Sequence, residues 1–298
     1  MDLRHLKYFA TLAEELNFHR AAERLHISQP PLSRQIRQLE EELGTPLFSR
    51  GARGVELTQA GHTLREEAQR ILGMVAIARE RTGKAGRGQI GRLDMGIFGS
   101  SILYHIPRLL LQFRNRYPEV EIALHQLPRA EQIVGLRERR LTVGISRRVP
   151  EEPDIVVETM FQEPLVIALN RAHPLARRKA IRIAEIVHEP LILYPSTIRP
   201  GLVDDVMVLM AREGARPRIV QEVTDVVTAV ALVASGFGVC ITPEAASSLR
   251  LPGVVYRPIK GEPPPSIELA CLYRRGDASP ILAAFLDITR RYRPATVG

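Results

Sequence analysis

No stretch of this 298-residue chain is apolar over the roughly 20 residues that cross a bilayer as a helix, so no membrane partner is expected. The first residues, MDLRHLKYFATLAEEL, break their apolar pattern with acids and offer no small-residue cleavage site. They do not read as an export signal, and a cytoplasmic location is expected. Cysteine is scarce. Cys240 in GVCIT and Cys271 in ELACLY both lie in apolar, strand-like runs without CxxC spacing, which points to buried inert thiols, with a redox switch as the lesser alternative. The eight histidines are scattered, and none is spaced with another His, Cys or carboxylate as a metal site requires, so no metal is expected. Catalytic signatures are also missing: there is no GxSxG elbow, HExxH pair, Walker loop or suggestively spaced pair of carboxylates. Nothing supplies a nucleophile or base, and an enzyme is not expected. Gly86, Gly88 and Gly91 satisfy GxGxxG, but that fingerprint follows a strand and opens a helix. Here it follows a helical stretch and leads into the strand-like RLDMGIF, so it reads as linker and no cofactor is expected.

What is present is an ordinary globular composition, 45% hydrophobic and 25% charged, over a length that suits two or three units. The net charge of +8 is compatible with a nucleic-acid or anionic partner, yet residues 1–88 hold 14 Lys and Arg against 11 Asp and Glu. Total charge therefore locates no binding domain, and only the positions of individual arginines can.

Leu3, Leu6, Phe9, Ala10, Ala13 and Leu16 mark an amphipathic first helix. Asn17 is placed to cap a short second helix that buries Ala21, Ala22 and Leu25. After HIS, Ser28 is placed to cap a third helix, QPPLSRQIRQLEEEL, ending at Gly44. Its prolines are tolerated because the amides of a first turn have no partner within the helix. Leu32, Ile36, Leu39 and Leu43 are expected on the inner side, and Gln29, Pro30, Ser33, Arg34 and Arg37 on other faces. This is the helix-turn-helix arrangement, and PLFSRGARGVELT after it reads as a hairpin wing with Arg53 at its basic tip. Glu40, Glu41 and Glu42 would repel phosphate, so only the first two turns of the third helix are expected to face DNA. Thr58 is placed to cap a long helix to about Ala85, along which Leu64, Ala68, Ile71, Val75, Ala78 and Thr82 form a narrow seam. The seam suits a two-stranded coiled coil; the alternative is a surface helix packed on its own domain. GKAGRGQIG then reads as a linker.

Beyond residue 90 strand-like and helix-like segments alternate, giving an α/β fold with largely parallel sheets in two small lobes. In such folds ligands meet the carboxyl ends of the strands, where helix N-termini point. Ser100 in FGSS and Ser196 and Thr197 in YPST stand at two such ends, and Arg129 and Arg147 just past two others. Together they can grip a carboxylate, with Arg147 as the charged partner. The alternative is that the serines cap helices and the arginines are solvated.

The spacing of AAERL, SQPPLSRQI, LEEELG, PLF and LTQAG closely resembles the winged helix-turn-helix of LysR-type transcriptional regulators, and the resemblance extends over essentially the whole chain. It implies an α/β protein with an all-α-rich N-terminal winged helix-turn-helix and an effector domain of two lobes similar to periplasmic binding proteins. The boundaries expected are 1–58 for DNA binding, 59–88 for a linker and dimerisation helix with its hinge, and 89–298 for effector binding. Within the last, one lobe takes about 89–161 and 266–298 and the other about 162–265. By the same resemblance Gln29, Pro30, Ser33 and Arg34 fall at positions that touch DNA and Arg53 at the wing arginine. The partners implied are promoter DNA, RNA polymerase, a small carboxylate inducer and further copies of the chain, as a homodimer or homotetramer. GSSILYHIPRLL, VGISR and LILYPS resemble the branch governing breakdown of benzoate, catechol and chlorocatechol compounds, whose inducers are similar to muconates and aromatic carboxylates. Arg129 departs from that branch, some members of which carry a small hydroxyl residue there. Two other classes remain open at this point, a solute-binding protein and an enzyme acting on a small aromatic acid. The first explains the α/β region but not residues 1–60.

Overall fold

The computed structural model describes residues 1–51, 54–195, 199–214 and 216–294, and the chain separates into two units, Met1–Lys84 and Ala85–Gly298. In the first unit, α1 (Leu3–Glu15) starts on Asp2, whose carboxylate accepts the His5 amide at 2.8 Å. α2 (Phe18–Arg24) is capped as its sequence predicts, Asn17 accepting the His19 and Arg20 amides at 2.9 and 3.1 Å. α3 (Gln29–Leu43) ends on Gly44 at φ 69°, left-handed backbone that glycine adopts without strain.

The start of α3 corrects an expectation. Ser28 occupies the cap position with extended backbone, but its side chain makes no cap hydrogen bond. A capping oxygen accepts from the second or third amide of the helix, and those positions are Pro30 and Pro31, which have no N–H. Leu32, Ile36 and Leu39 are buried against Leu6, Phe9, Leu12 and Ala21, as expected. Leu43 is not on the inner side: it lies on the final turn, beyond the last core residue Leu39, and is 39% exposed.

β1 (Phe48–Gly51) pairs antiparallel with β2 (Gly54–Leu57) to form the wing strands, Phe48 standing opposite Leu57. The Phe48 ring packs 5.4 Å from Phe9 and 6.4 Å from Phe18, which fixes the wing to the helices. Glu40 shares that task and is no free acid: one carboxylate oxygen accepts the Leu47 and Phe48 amides at 2.7 and 3.2 Å. Glu42 pairs with the N-terminal ammonium. α4 (Gln59–Gly86) is capped by Thr58, whose hydroxyl accepts the Gly61 amide at 3.0 Å. A methyl at Gly61 would sit 2.2 Å from the Leu47 carbonyl oxygen, so the helix approaches the wing only through glycine. The seam divides. Leu64, Ala68 and Ile71 join the domain's own core, whereas further along the helix Ala78 and Thr82 are exposed, as are Met74 and Ile77 at 64% and 57%.

The second unit runs β3 (Ile90–Ile97), α5 (His105–Arg116), β4 (Glu119–Gln126), α6 (Arg129–Arg137), β5 (Val143–Ser146), β6 (Ile155–Asn170), β7 (Pro190–Leu193), α7 (Leu202–Arg212), β8 (Arg218–Glu222), α8 (Val226–Ala234), β9 (Cys240–Pro243), β10 (Val254–Pro258), β11 (Ser266–Arg274) and α9 (Pro280–Arg291). Seven of the described strands share one sheet in the order β10-β6-β11-β5-β3-β4, with β9 also against β6. The expectation of largely parallel sheets is corrected: β3 is parallel to β4 and β5, but every pairing of β6 and β11 is antiparallel. The cause is β6, a 16-residue strand whose first half, IVVETMFQ, did not read as strand in the sequence.

β6 passes through both lobes. Phe161 belongs to a core with Leu93, Ile106, Phe113 and Phe285, and Leu165 and Ile167 belong to another with Leu191, Val203 and Val230. β11 lies beside it, with a register shift where Leu269 and Ala270 face Phe161 and Thr159, so Met160 is an extra residue next to Phe161, packed against the same core. The glycine-rich stretch before β3 is partly helix, since α4 reaches Gly86. Gly88, at φ 66°, lies against α9, where a methyl would come 2.5 Å from the Pro280 carbonyl oxygen. Cys240 and Cys271 are buried free thiols, and burial pushes both up to about 12, so neither forms a thiolate near neutrality.

Candidate functional site

Two surfaces concentrate unsatisfied polar groups, one in each unit. On α3, Gln29, Pro30 and Arg34 are exposed and Ser33 is half-buried. Leu32, Ile36 and Leu39 turn the opposite face into the core, so the 3.6-residue repeat presents the polar positions outward. Arg34 and Arg37 make no hydrogen bond or ion pair with another described residue, in contrast to Arg24, which is held by Glu14 and Glu15. Solvated, unpaired guanidinium groups on the first turns of an exposed helix can donate to phosphates or to guanine edges. Arg53 lies outside the described residues.

In the second unit β3 and β5 of the large sheet end at Ile97 and Ser146, β7 of the two-stranded β7-β8 sheet ends at Leu193, and a pocket opens where these ends meet, lined by Phe98, Ser100, Ser146, Arg147, Tyr194 and Leu202. Its free volume is about 50 Å³, room for a few water molecules. Ser196 and Thr197 lie outside the described residues. Larger open grooves exist, one of about 520 Å³ along β10, but it lies off the strand ends, and no buried unpaired donor among the described residues lines it.

Ser100 is 3% exposed and its hydroxyl stands beside that of Tyr194, which in turn bonds the Thr242 hydroxyl. Burial drives the Tyr194 pKa far up, so it remains a neutral donor at any physiological pH. The Arg147 side chain is 14% exposed and pairs through Nη2 with Glu163. Its Nη1 is buried and has no hydrogen-bond partner. Glu163, 1% exposed, uses its other oxygen to accept the Ala245 amide at 2.7 Å. The pocket therefore holds a cation whose charge is already balanced while half of its donor fork is idle.

Arg129 does something else. It is buried, and its Nη1 and Nη2 donate to the carbonyls of Arg147, Arg148, Pro200 and Arg199 at 3.2, 2.7, 2.8 and 3.0 Å. Those bonds tie the start of α6 in one lobe to the chain entering α7 in the other and engage the hydrogens of Nη1 and one of Nη2. Burial lowers its pKa from the ordinary arginine value. Arg148 adds an ion pair to Asp205 of α7. Sequence reasoning missed Glu163 and His105. The one available signal for Glu163 was a lone acid between two apolar halves of MFQEPLVIAL.

A winged helix-turn-helix with an open basic reading face, carried with a two-lobed domain whose strand ends enclose a cationic pocket, defines a ligand-responsive DNA-binding regulator. Family models agree: residues 3–62 match the bacterial regulatory helix-turn-helix protein, lysR family, and residues 86–293 match the LysR substrate binding domain. The chain is 39% identical to the HTH-type transcriptional regulator TfdS of Cupriavidus pinatubonensis (strain JMP 134 / LMG 1197), over 98% of each chain. The crystal structure of CbnR, a LysR family transcriptional regulator, superposes with a TM-score of 0.92 at 36% identity, covering 97% of this chain and 100% of that one. CbnR complexed with its target DNA superposes with a TM-score of 0.84 at 35% identity, covering 98% and 99%. The effector binding domain of BenM with its effector benzoate matches with a TM-score of 0.63 at 26% identity, over 67% of this chain and 91% of that one. The chain belongs to the LysR family of transcriptional regulators.

Proposed function

We propose that this regulator binds a partly palindromic promoter site through Gln29, Pro30, Ser33 and Arg34 of α3 and Arg53 of the wing, and activates RNA polymerase there in response to a small carboxylate. It does so as a homotetramer in the cytoplasm, without catalysing a reaction. The working parts are residues 1–58 for DNA, 59–88 for pairing and hinge, and 89–298 for the effector. The inducer is an aromatic carboxylate or a muconate-type catabolite held by Arg147 and Ser100, with Ser196 and Thr197 as further contacts. The observation that carries this reading is the buried, unpartnered Nη1 of Arg147, a residue that lines the pocket at the strand ends together with Ser100. The DNA-bound CbnR and benzoate-bound BenM structures support it by likeness. A cavity of about 50 Å³ is too small for a ring, so the lobes must part for entry, loosening the contacts of Arg129 and Arg148. A thermal-shift screen of benzoate, cis,cis-muconate and chlorinated analogues tests the reading. A true inducer at a hundredfold its Kd stabilises the effector unit by about 2.7 kcal/mol, and Arg147→Ala abolishes that gain. Equal stabilisation of the variant would refute Arg147 as the anchor.

A further inference from the structure

An anion that binds Arg147 disturbs a balance already struck. The guanidinium neutralises Glu163, which is 1% exposed, so a carboxylate arriving at Nη1 leaves two anions sharing one cation in a site nearly closed to water. An uncompensated charge there is strongly unfavourable. On the far side of Glu163 stands His105, at the start of α5 and 2% exposed. Its Nε2 lies 3.8 Å from a Glu163 oxygen and has no hydrogen-bond partner, and its Nδ1 is 3.3 Å from the Tyr292 hydroxyl. Phe161 and Tyr104 wall the ring at 4.6 and 5.1 Å. The charged groups that face it are Glu163 from β6, Arg147 beyond β5 and Arg108 on its own helix, with the Tyr292 and Tyr104 hydroxyls nearby. Burial lowers its pKa from the ordinary imidazole value; Glu163 opposes that shift, and Arg147 and Arg108 add to it.

We propose that His105 is a further residue of the effector site, taking up one proton when a carboxylate binds Arg147, so that the site admits an anion and a proton together. This rests on Arg147 being the anion anchor. The incoming carboxylate offsets the Arg147 charge, which weakens its repulsion of an imidazolium and its hold on Glu163. The imidazole then takes a proton from solvent. In the charged ring Nε2–H faces the Glu163 carboxylate and Nδ1–H faces the Tyr292 oxygen, which accepts it. Affinity consequently rises as pH falls, by up to about tenfold per pH unit between the bound-state and free-state pKa of His105, and is level outside that window.

Two measurements on the full-length chain decide the matter. Arg147→Met removes the same charge without any ligand, so NMR of carbon-13-labelled imidazoles, assigned with His105→Gln, should find the His105 pKa raised by about one unit or more. An unchanged or lower value overturns the coupling. Calorimetry of the unmutated chain with benzoate and with cis,cis-muconate, in buffers of different ionisation enthalpy, should show net proton uptake that His105→Gln abolishes. Binding without uptake, or uptake persisting in His105→Gln, overturns the role of His105. If neither acid binds, the assignment of these inducers falls, and the imidazole titration still decides the coupling.

Discussion

Arginine is used in opposite ways in the two units. On α3, Arg34 and Arg37 are solvated and engage no other described residue. In the effector unit Arg129 is spent on four carbonyls and Arg147 on a buried acid. The reading face keeps its charge in water until a polyanion arrives, so losing it leaves the fold untouched. The pocket keeps its charge in the interior, where the surrounding groups exist to hold it, so losing one partner is felt first as instability.

The sharpest way to break that contrast is Glu163→Ala, which strands the Arg147 guanidinium. The expected loss is about 3–5 kcal/mol in urea unfolding of the effector unit, and a change under about 1 kcal/mol would remove the basis for calling the pair structural. Arg34→Ala and Arg129→Ala form a crossed pair. The first should lower discrimination between the promoter site and a scrambled duplex by about 1–3 kcal/mol in gel-shift titration, with no change in unfolding midpoint. The second should destabilise by about 1–3 kcal/mol because carbonyls lose their donors, with the salt slope of DNA binding unaltered. A third comparison uses pH. The folded-state pKa of His105 lies below its unfolded value of about 6.5, so between those two values the unfolded chain binds more protons. Stability therefore rises with pH across that window and falls as the solution is acidified through it. His105→Gln should flatten that limb of the stability curve, and an unaltered limb would assign it to another group. The smallest effects separate two helix starts: Asn17→Ala should cost about 1 kcal/mol, and Ser28→Ala no more than a few tenths, since its hydroxyl caps nothing.

The first unit was legible almost residue by residue, because periodicity, caps and glycine stops are local. Asn17, Gly44 and the trio Leu32, Ile36 and Leu39 behave as their spacing says. Ser28 and Leu43 do not, the one because prolines remove the amides it would bind, the other because a period cannot say where the covering core ends. In the effector unit the strand ends that form the pocket could be read, and Ser100 and Arg147 do line it. Glu163 and the tying role of Arg129 were hidden, since both depend on β6 and on the approach to α7, contacts between segments far apart in sequence. A β-strand serving two cores also breaks the assumption that one apolar run marks one element.

The paired prolines at the start of α3 carry one more implication. A helix ordinarily offers four free amides at its N-terminus, which makes that end a natural clamp for phosphate. Pro30 and Pro31 delete two of those four and replace them with exposed rings. Placed in a groove, as proposed, that tip would be a poor grip for the sugar-phosphate chain and a good surface for the methyl group of a thymine. Sequence at that point would be sensed by an oily edge, with electrostatic attraction left to the guanidinium groups one turn further on.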